Sequence, residues 1–342
     1  MKPFEPSEDF STDVAIIGAG PVGLFAIFEC GQLKMSCTVI DSLDTLGGQC
    51  STLYPEKPIY DIPGFPVLSA QELIERLQAQ AAPFAPNYLM GQQVESLTQY
   101  STGWRLQTST GQVVTARVVL VAAGVGAFGP NRPPLPGIEQ YEGKSVLYYV
   151  KKREDFRGKR VMIAGGGDSA VDWALNLVDI AARVILVHRR PKFRAAPASL
   201  AQLETLADAG KIDLVVPYQL AGLEGSDGQL ESVVVEDLDK SSKRLACDSV
   251  LAFFGLSMKL GPILKWGLNL SNNHISVIQS NCATNLQGIF AIGDIAHYTG
   301  KLKLILSGFA EAASAAHAAR AYAFPNAPLH FEYSTTLGKP GE

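Results

Sequence analysis

Short apolar runs, each followed by a glycine-rich turn or a polar residue, divide the chain into predicted strands and helices. Continuous apolar runs of about four to eight residues are typical of strands buried on both faces of a parallel sheet. Runs of this kind lie within residues 14–17, 37–41, 118–122, 159–164, 184–187 and 288–292. Helical patterns follow at 24–33 and 170–178, and a third begins near 301–304 and continues through Ala319. The chain is therefore predicted to be an α/β protein.

The remaining pattern indicates antiparallel strands and a change of domain. Residues 104–119 alternate around a Ser-Thr-Gly turn and predict a hairpin that leads into the strand at 118–122. Segments near 213–224, 230–236 and 244–254 predict a meander. A chain of 342 residues is too long for one compact core, which suggests two domains. The Gly- and Pro-rich stretch after residue 122 is typical of a crossover between domains.

The apolar run at 14–17 is followed by Gly18-x-Gly20-x-x-Gly23 and then by a predicted helix. The glycines allow a tight turn, the approach of the backbone to a pyrophosphate, and close contact of helix with strand, while the helix N-terminus supplies N–H donors. The next strand ends in Asp41, where a carboxylate can accept hydrogen bonds from a ribose with a free 2′-OH. The alternative is a glycine-rich turn in an ordinary α/β protein.

A second copy of the pattern lies in residues 159–170, with small residues at Gly165, Gly167 and Ala170. His188 is as far from Gly165 along the chain as Asp41 is from Gly18, and it is followed by Arg189 and Arg190. Cations at this place suit the 2′-phosphate of NADP(H) better than the 2′-hydroxyl of NAD(H). The alternative is a solvated basic loop at the end of a strand.

Two different dinucleotides on one chain indicate FAD and NADP(H), because a hydride can pass from nicotinamide to flavin when the rings are in contact. The strand at 288–292 ends at Gly293-Asp294, which places Asp294 to hydrogen-bond a hydroxyl of the first nucleotide; helix capping is the alternative role for this acid. The helix that follows is expected to direct its positive end at the pyrimidine oxygen of the flavin.

We therefore expect two Rossmann-type, three-layer dinucleotide-binding domains, the second inserted in the first. The FAD-binding domain comprises residues 1–124 and 288–342, and the NADP(H)-binding domain comprises residues 125–287.

Composition and charge exclude several classes of protein. The acidic N-terminus lacks the basic and apolar regions of a secretory signal, and no apolar run reaches the ~18 residues of a membrane helix, so we expect a soluble, cytoplasmic protein. Five cysteines without C-x-x-C spacing argue against a disulfide framework. A net charge of −4 gives no global attraction to nucleic acid or an anionic membrane. The five histidines lack ligand spacing with Cys or acid, so no metal site is expected.

Further motifs are more specific than the glycine turns. They are Gly47-Gly48-Gln49, LYPEK at 53–57 and YDIPGFP at 60–66, which occur beside the glycine turns GAGPVG and GGGDSA, the HRR cluster and GIFAIGD. On these segments the sequence resembles, over essentially its whole length, the ferredoxin–NADP(H) reductases of the thioredoxin-reductase-like type. The resemblance implies FAD contacts from Asp41, Gln49, Tyr54, Val94, Phe128, Asp294 and Thr335, with Tyr54 stacked on the isoalloxazine ring.

In that family a C-terminal extension covers the other flavin face with an aromatic ring or a histidine, and the proteins are usually homodimers. Tyr333 is the best match for the covering ring, while Phe331 or His330 could take the same place. The catalytic residues stay unknown, since hydride and electron transfer require no proton-transferring group from the protein.

The chain lacks the redox dithiols of related flavoproteins. Thioredoxin reductases carry C-x-x-C just ahead of the second glycine motif, whereas residues 124–164 contain no cysteine here. Glutathione-reductase-like enzymes place C-x-x-x-x-C after the Gly-Gly of the flavin domain, and here Cys50 occupies the first position and Pro55 the second. Thiol exchange needs a second sulfur within reach, which argues against disulfide reduction. Cys50 is expected to be a packed thiol near the flavin.

Electrons must then leave the flavin directly, and a one-electron protein such as ferredoxin or flavodoxin is the expected acceptor. An acidic partner would be guided by the cations Lys151, Lys152, Arg153, Arg157, Lys159 and Arg160, although an ordinary solvated linker is the alternative for this segment. Two other functions stay open. One is an NADPH-dependent flavin or quinone reductase, or an oxidase, without ferredoxin; the other is a redox-sensing module that holds nucleotides without turnover.

Overall fold

The computed structural model describes residues 10–100 and 103–327. The helices are α1 (Pro21–Gln32), α2 (Gln49–Leu53), α3 (Ala70–Ala81), α4 (Asp168–Leu177), α5 (Pro197–Asp208) and α6 (Ile305–Ala323). The strands up to residue 147 are β1 (Phe10–Ile17), β2 (Cys37–Ile40), β3 (Pro58–Ile59), β4 (Leu68–Ser69), β5 (Asn87–Leu89), β6 (Val94–Tyr100), β7 (Gly103–Thr108), β8 (Val113–Val121), β9 (Ala127–Pro130) and β10 (Val146–Leu147). The later strands are β11 (Arg160–Ala164), β12 (Arg183–Val187), β13 (Ile212–Val215), β14 (Gln219–Ser226), β15 (Gln229–Glu236), β16 (Ser242–Ala246), β17 (Ser249–Ala252), β18 (Leu256–Lys259), β19 (Leu270–Ser271), β20 (His274–Ser276), β21 (Ile289–Ala291) and β22 (Ala296–His297).

The chain folds into two compact units, and the second is inserted in the first. The described residues up to Phe128 and from Met258 onward form the first unit, and residues 129–257 form the second. The return to the first domain was expected at residue 288, whereas residues 258–287 already belong to the first unit. Apolar side chains explain the difference, because Leu260, Ile263 and Trp266 are buried in the same core as the sheet of the first unit.

The first unit is built on a sheet with strand order β5-β2-β1-β8-β7-β6, and β21 also pairs with β8. Strands β5, β2, β1, β8 and β21 are parallel. Strands β7 and β8 form the antiparallel hairpin that the alternation at 104–119 predicts, and β6 pairs antiparallel with β7. Helices α1, α3 and α6 cover one face through a continuous apolar core. Residues 260–275 and the hairpin bury the other face. The unit therefore has the expected three layers.

The glycine turn after β1 depends on close backbone contacts. Gly18 has φ +112°, a conformation that side chains with a Cβ rarely adopt, and a Cβ there would lie 2.3 Å from the carbonyl oxygen of Ala122. A Cβ on Gly23, in the first turn of α1, would lie 2.0 Å from the carbonyl oxygen of Gly18. Helix α1 begins at Pro21, three residues before the predicted start, because proline fits the first position of a helix.

Helix α6 carries a buried carboxylate, Glu311, that holds the turn after β21. The side chains of Lys301 and Glu311 are 4% and 5% exposed and form an ion pair. The second carboxylate oxygen of Glu311 accepts the backbone N–H of Gly293 at 2.8 Å, and the first also accepts the hydroxyl of Tyr298 at 2.7 Å. Burial, followed by this hydrogen bond, raises the pKa of Tyr298 to about 12. The sequence analysis did not identify this network.

The second unit repeats the plan of the first with a five-stranded parallel sheet in the order β10-β17-β11-β12-β13. Helices α4 and α5 pack on one face, and strands β14, β15 and β16 form an antiparallel sheet over the other. The predicted meander is therefore shorter than expected. The predicted segment at 213–224 combines β13 with β14, and the one at 244–254 combines β16 with β17. Strands β13 and β17 belong to the parallel sheet and not to the meander.

Two glycines of the first turn should differ in how much stability they lose on the same substitution. Gly23→Ala places a methyl group against the backbone of Gly18. Because this backbone cannot move aside, we expect the free energy of unfolding to fall by about 1–3 kcal/mol. Gly20→Ala is the matched control, because a Cβ at Gly20 has nothing within 4 Å. Urea unfolding followed by circular dichroism measures both variants. Equal stability of the two would contradict the close contact.

The ion pair of Lys301 and Glu311 should be sensitive to removal of one partner. Glu311→Gln leaves a buried ammonium without its counter-charge, and we expect a loss of about 3–5 kcal/mol of unfolding free energy. The double variant Lys301→Met with Glu311→Met should recover part of that loss, since an apolar pair carries no uncompensated charge. The exposed Glu204→Gln is the control in the same urea titration. A Glu311→Gln variant as stable as the control would show that the pair does not hold the turn.

Candidate functional site

A cavity of about 350 Å³ lies in the first unit, next to the glycine turn that follows β1. It gathers residues from segments far apart in sequence. The predicted cofactor contacts that line it are Gly18, Gly20, Asp41, Gln49, Tyr54, Val94 and Asp294. A crevice outside the carboxyl ends of parallel strands is where α/β proteins bind nucleotides.

The N-terminus of α1 is arranged to receive an anion. Its N-cap is Gly20, which has no side chain to cap the helix, so the first N–H groups of the helix are not satisfied by a side-chain cap. Gly20 lines the cavity and has open space where a Cβ would stand. Gly23 does not line the cavity. It lies instead in contact with the backbone of Gly18. The turn thus fits a pyrophosphate that approaches at Gly20.

Asp41 follows β2 and links that strand to the glycine turn. One carboxylate oxygen accepts the N–H of Ala19 at 2.6 Å, and the other accepts the N–H of Leu43 at 2.8 Å. Burial raises the pKa of Asp41, and these backbone donors partly offset the rise. Each oxygen keeps a lone pair for a further donor, so the carboxylate can also accept a ribose hydroxyl.

Helix α2 brings Gln49, Cys50 and Tyr54 to the cavity wall. The Sγ of Cys50 lies 4.0 Å from the hydroxyl of Tyr54. Burial raises the pKa of Cys50 to about 11 and raises the pKa of Tyr54 well above its usual value. Cys50 is therefore a neutral, packed thiol at neutral pH, and Tyr54 presents an uncharged ring.

All five cysteines are free and buried. Cys30 and Cys37 interact within the core, where this contact and burial raise the pKa of Cys30 well above its ordinary value. Neither lines the cavity, and a buried, protonated thiol is a poor nucleophile. The structure therefore places no pair of thiols at the cavity.

Several lining residues were not found from the sequence. Gln92 and Gln93 precede β6, and Lys303 and Ile305 stand at the start of α6. A further group, from residues 258–287, consists of Leu260, Pro262, Ile263 and Trp266. Lys303 lies where the sequence predicts the start of a helix, so its position beside the cavity could have been inferred. The residues from 258–287 lie in no recognisable motif, because they reach the cavity only by packing against the sheet.

Some named residues cannot be placed in this way. The backbone of Phe128 belongs to β9, but its side chain is outside the described part of the structure. Tyr333 and Thr335, with the alternatives His330 and Phe331, also lie outside the described residues.

The second glycine turn repeats the hydrogen bonds of the first. The N–H of Gly18 donates to the carbonyl of Ile40 at 2.9 Å, and the N–H of Gly165 donates to the carbonyl of Val187 at 3.0 Å. The residues after these acceptors are Asp41 and His188, which makes them equivalent in the two sheets. The equal spacing in the sequence therefore corresponds to one structural position.

Helix α4 also begins without a side-chain cap, at Gly167, and Ala170 is buried in its first turn as Gly23 is in α1. The carboxylate of Asp168 accepts the N–H of Ala196 at 3.0 Å and is thereby held by the loop after β12. The N-terminus of α4 can thus receive a phosphate in the same manner as α1.

The three residues of the HRR cluster have different surroundings. The ring of His188 lies against Gly166, where a Cβ would be 2.2 Å from it, and is tilted by 33° against the ring of Phe193, with ring centroids 5.1 Å apart. Burial, followed by the charges of Arg189 and Arg190, lowers the pKa of His188. Arg189 and Arg190 are exposed. His188 is a neutral packing residue, and the arginines carry the charge.

Within residues 10–100 and 103–327, no three side chains of His, Cys, Asp or Glu are grouped so that they could bind a metal ion. No helix in that part of the chain has the length and apolar character needed to cross a bilayer.

Comparisons with known proteins agree with this geometry. Residues 12–321 match the family model of the pyridine nucleotide-disulphide oxidoreductases. A ferredoxin–NADP reductase of Paramagnetospirillum magneticum is 58% identical over 96% of this chain and 98% of its own length. That of Rhodospirillum rubrum is 58% identical over 98% of both chains. That of Granulibacter bethesdensis is 60% identical over 96% of this chain and 95% of its own.

Solved structures show the same fold at low identity. Thioredoxin reductase of T. acidophilum has a TM-score of 0.78 at 22% identity and covers 91% of this chain and 98% of its own. Thioredoxin reductase of Lactococcus lactis has a TM-score of 0.78 at 23% identity, with 92% and 99% covered. The chain therefore belongs to the pyridine nucleotide-disulphide oxidoreductase family and, within it, to the ferredoxin–NADP reductases, with the fold that thioredoxin reductases also have.

Proposed function

We propose that the protein transfers electrons between NADP(H) and ferredoxin, or flavodoxin, with FAD as its bound cofactor. The observation that carries the proposal is the cavity of the first unit, which joins an uncapped α1, Asp41, Gln49, Tyr54 and Asp294 in one place. The close relatives named ferredoxin–NADP reductase support the same activity. When bound, FAD supplies the redox chemistry, since a flavin takes up a hydride and releases electrons one at a time.

Residues of the first unit have separate tasks in this proposal. The N-terminus of α1 binds the pyrophosphate, and Asp41 accepts the adenosine ribose. Tyr54 provides an aromatic surface for the flavin ring, which a neutral phenol does by offset stacking. Gln49 and Asp294 hydrogen-bond the flavin half, and Glu311 fixes Asp294 through the backbone of Gly293.

Residues of the second unit select the nicotinamide nucleotide. Gly165, Gly167 and the uncapped α4 bind its pyrophosphate, and Arg189 and Arg190 pair with the 2′-phosphate. His188 does not contribute charge; its ring packs on Gly166 and sets the start of the loop that carries the arginines.

The absence of a second thiol near Cys50 bears on how electrons leave the protein. A neutral Cys50 without a second thiol beside the cavity supports direct transfer to a protein acceptor rather than disulfide exchange.

The cations of residues 151–160 are not equally available to such an acceptor. Arg157 pairs with Glu154 at 2.6 Å, Arg160 pairs with Asp248, and Arg153 donates to the carbonyl of Asn176 at 2.7 Å. The exposed cations Lys151, Lys152 and Lys159 are therefore the ones we propose for docking an acidic partner. We further propose a cytoplasmic homodimer, as the family resemblance and the five reduced thiols suggest.

The two arginines should control the choice of nucleotide. We expect Arg189→Ala with Arg190→Ala to raise the KM for NADPH about tenfold or more, since charge-assisted hydrogen bonds are lost, with little change for NADH. The assay is anaerobic cytochrome c reduction by the purified protein, with and without ferredoxin. Lys211→Ala, an exposed cation elsewhere in the second unit, is the control. Equal use of NADH and NADPH by the natural protein would contradict the arginine role, and no stimulation by ferredoxin would favour a flavin or quinone reductase.

The exposed lysines should control the encounter with the acceptor. Lys151→Glu with Lys152→Glu and Lys159→Glu should raise the KM for ferredoxin and flatten its dependence on salt, because electrostatic steering is screened by ions. NADPH-driven ferricyanide reduction, which needs no docking, should be unchanged. Lys211→Glu serves as the control for added negative charge. A triple variant with the natural KM and salt dependence would place the docking surface elsewhere.

A further inference from the structure

Lys303 lies at the cavity but has no role in the function proposed above. It stands two residues before α6 and lines the cavity with Ile305. Among the described residues that line the cavity it is the only one with a basic side chain, and the acidic ones are Asp41 and Asp294. Lys303 is exposed, and it carries the one basic side chain among the described residues of this wall.

The side chain of Lys303 is held by a buried histidine. The Nζ of Lys303 lies 2.7 Å from the Nε2 of His274, which is the first residue of β20. The Nδ1 of His274 lies 2.5 Å from the carbonyl oxygen of Asn272. Since a carbonyl only accepts, Nδ1 carries the proton and Nε2 accepts from the ammonium. The ammonium is thus oriented and keeps two N–H groups for a ligand.

The sheet order shows which half of the cofactor Lys303 faces. Strand β1 pairs with β2 on one edge and with β8 on the other, and β21 lies beyond β8. Asp41 follows β2, whereas Asp294 and Lys303 follow β21. With the pyrophosphate at α1, the ribose at Asp41 puts the adenosine half on the β2 side. The flavin half then lies on the side of Lys303.

We propose that Lys303 contacts the pyrimidine edge of the flavin and raises its reduction potential, and that His274 is a positioning residue for Lys303. This inference rests on the proposed function, since it requires bound FAD. Reduction adds negative charge to the pyrimidine ring, and a cation a few ångströms away stabilises the reduced form more than the oxidised form.

The test compares Lys303→Met and Lys303→Arg with the natural holoprotein. The readouts are the FAD dissociation constant, the two-electron midpoint potential and the affinity for sulfite, which binds more tightly to flavins that have a positive charge near the pyrimidine ring. For Lys303→Met we expect sulfite affinity to fall about tenfold, and a tenfold change in the preference for reduced flavin lowers the potential by about 30 mV. Lys303→Arg should stay close to the natural values because the charge is kept.

The role of His274 is tested by a pair of variants. His274→Gln keeps an acceptor for Lys303 and should retain the natural potential, whereas His274→Leu removes the acceptor and should shift it part of the way toward Lys303→Met. Lys265→Met is the control, because Lys265 is exposed in the same unit and does not line the cavity. Both variants must bind FAD for the comparison, which the visible spectrum shows.

The outcomes separate the two proposals. An unchanged potential and sulfite affinity in Lys303→Met, with FAD still bound, would overturn the role of Lys303 and leave the proposed function intact. A natural potential in His274→Leu would overturn only the positioning role. A natural protein that binds no FAD would overturn the proposed function and this inference together, whereas a lack of ferredoxin stimulation would count against the acceptor alone.

Discussion

The close contact between Gly23 and the carbonyl of Gly18 is the constraint on which the first unit depends. It seats the first turn of α1 directly on the turn after β1, so that the helix N-terminus faces the cavity. Val22, in the same helical turn, lies against glycines of two other segments: a Cβ on Gly308 would be 2.3 Å from it, and one on Gly293 would be 3.4 Å away. The start of α1, the turn after β21 and α6 therefore pack together around Val22, which lies against glycines of both other segments.

The same backbone hydrogen bond, from the first glycine of the turn to the end of the neighbouring strand, occurs in both units. After each glycine turn the neighbouring strand ends at the same structural position, occupied by Asp41 in the first unit and His188 in the second. In the first unit the side chain folds back onto the turn and accepts its N–H, so the acid is fixed and close. In the second the ring packs on the turn and the following arginines project outward. The two units thus carry different side chains at an equivalent backbone position.

The sequence predicted what depends on local geometry. The strand-turn-helix order and the equal spacing of the two copies identified both glycine turns, Asp41 and His188, because these features are set within one β–α–β segment. It did not predict the return to the first unit at residue 258, the ion pair of Glu311, or the contact of Lys303 with His274. Those depend on long-range packing; Lys303 and His274 are 29 residues apart in sequence, and neither lies in a recognisable motif.

The burial of all five thiols has a practical consequence for studying motion in this protein. Maleimide and other thiol reagents attack exposed thiolates, and none of the natural cysteines presents one. A single cysteine introduced at an exposed position in each unit, such as Leu264 and Lys211, would therefore be the site at which a fluorophore or spin label attaches. Such a pair of labels would report the distance between the two units during turnover without the prior removal of any natural residue.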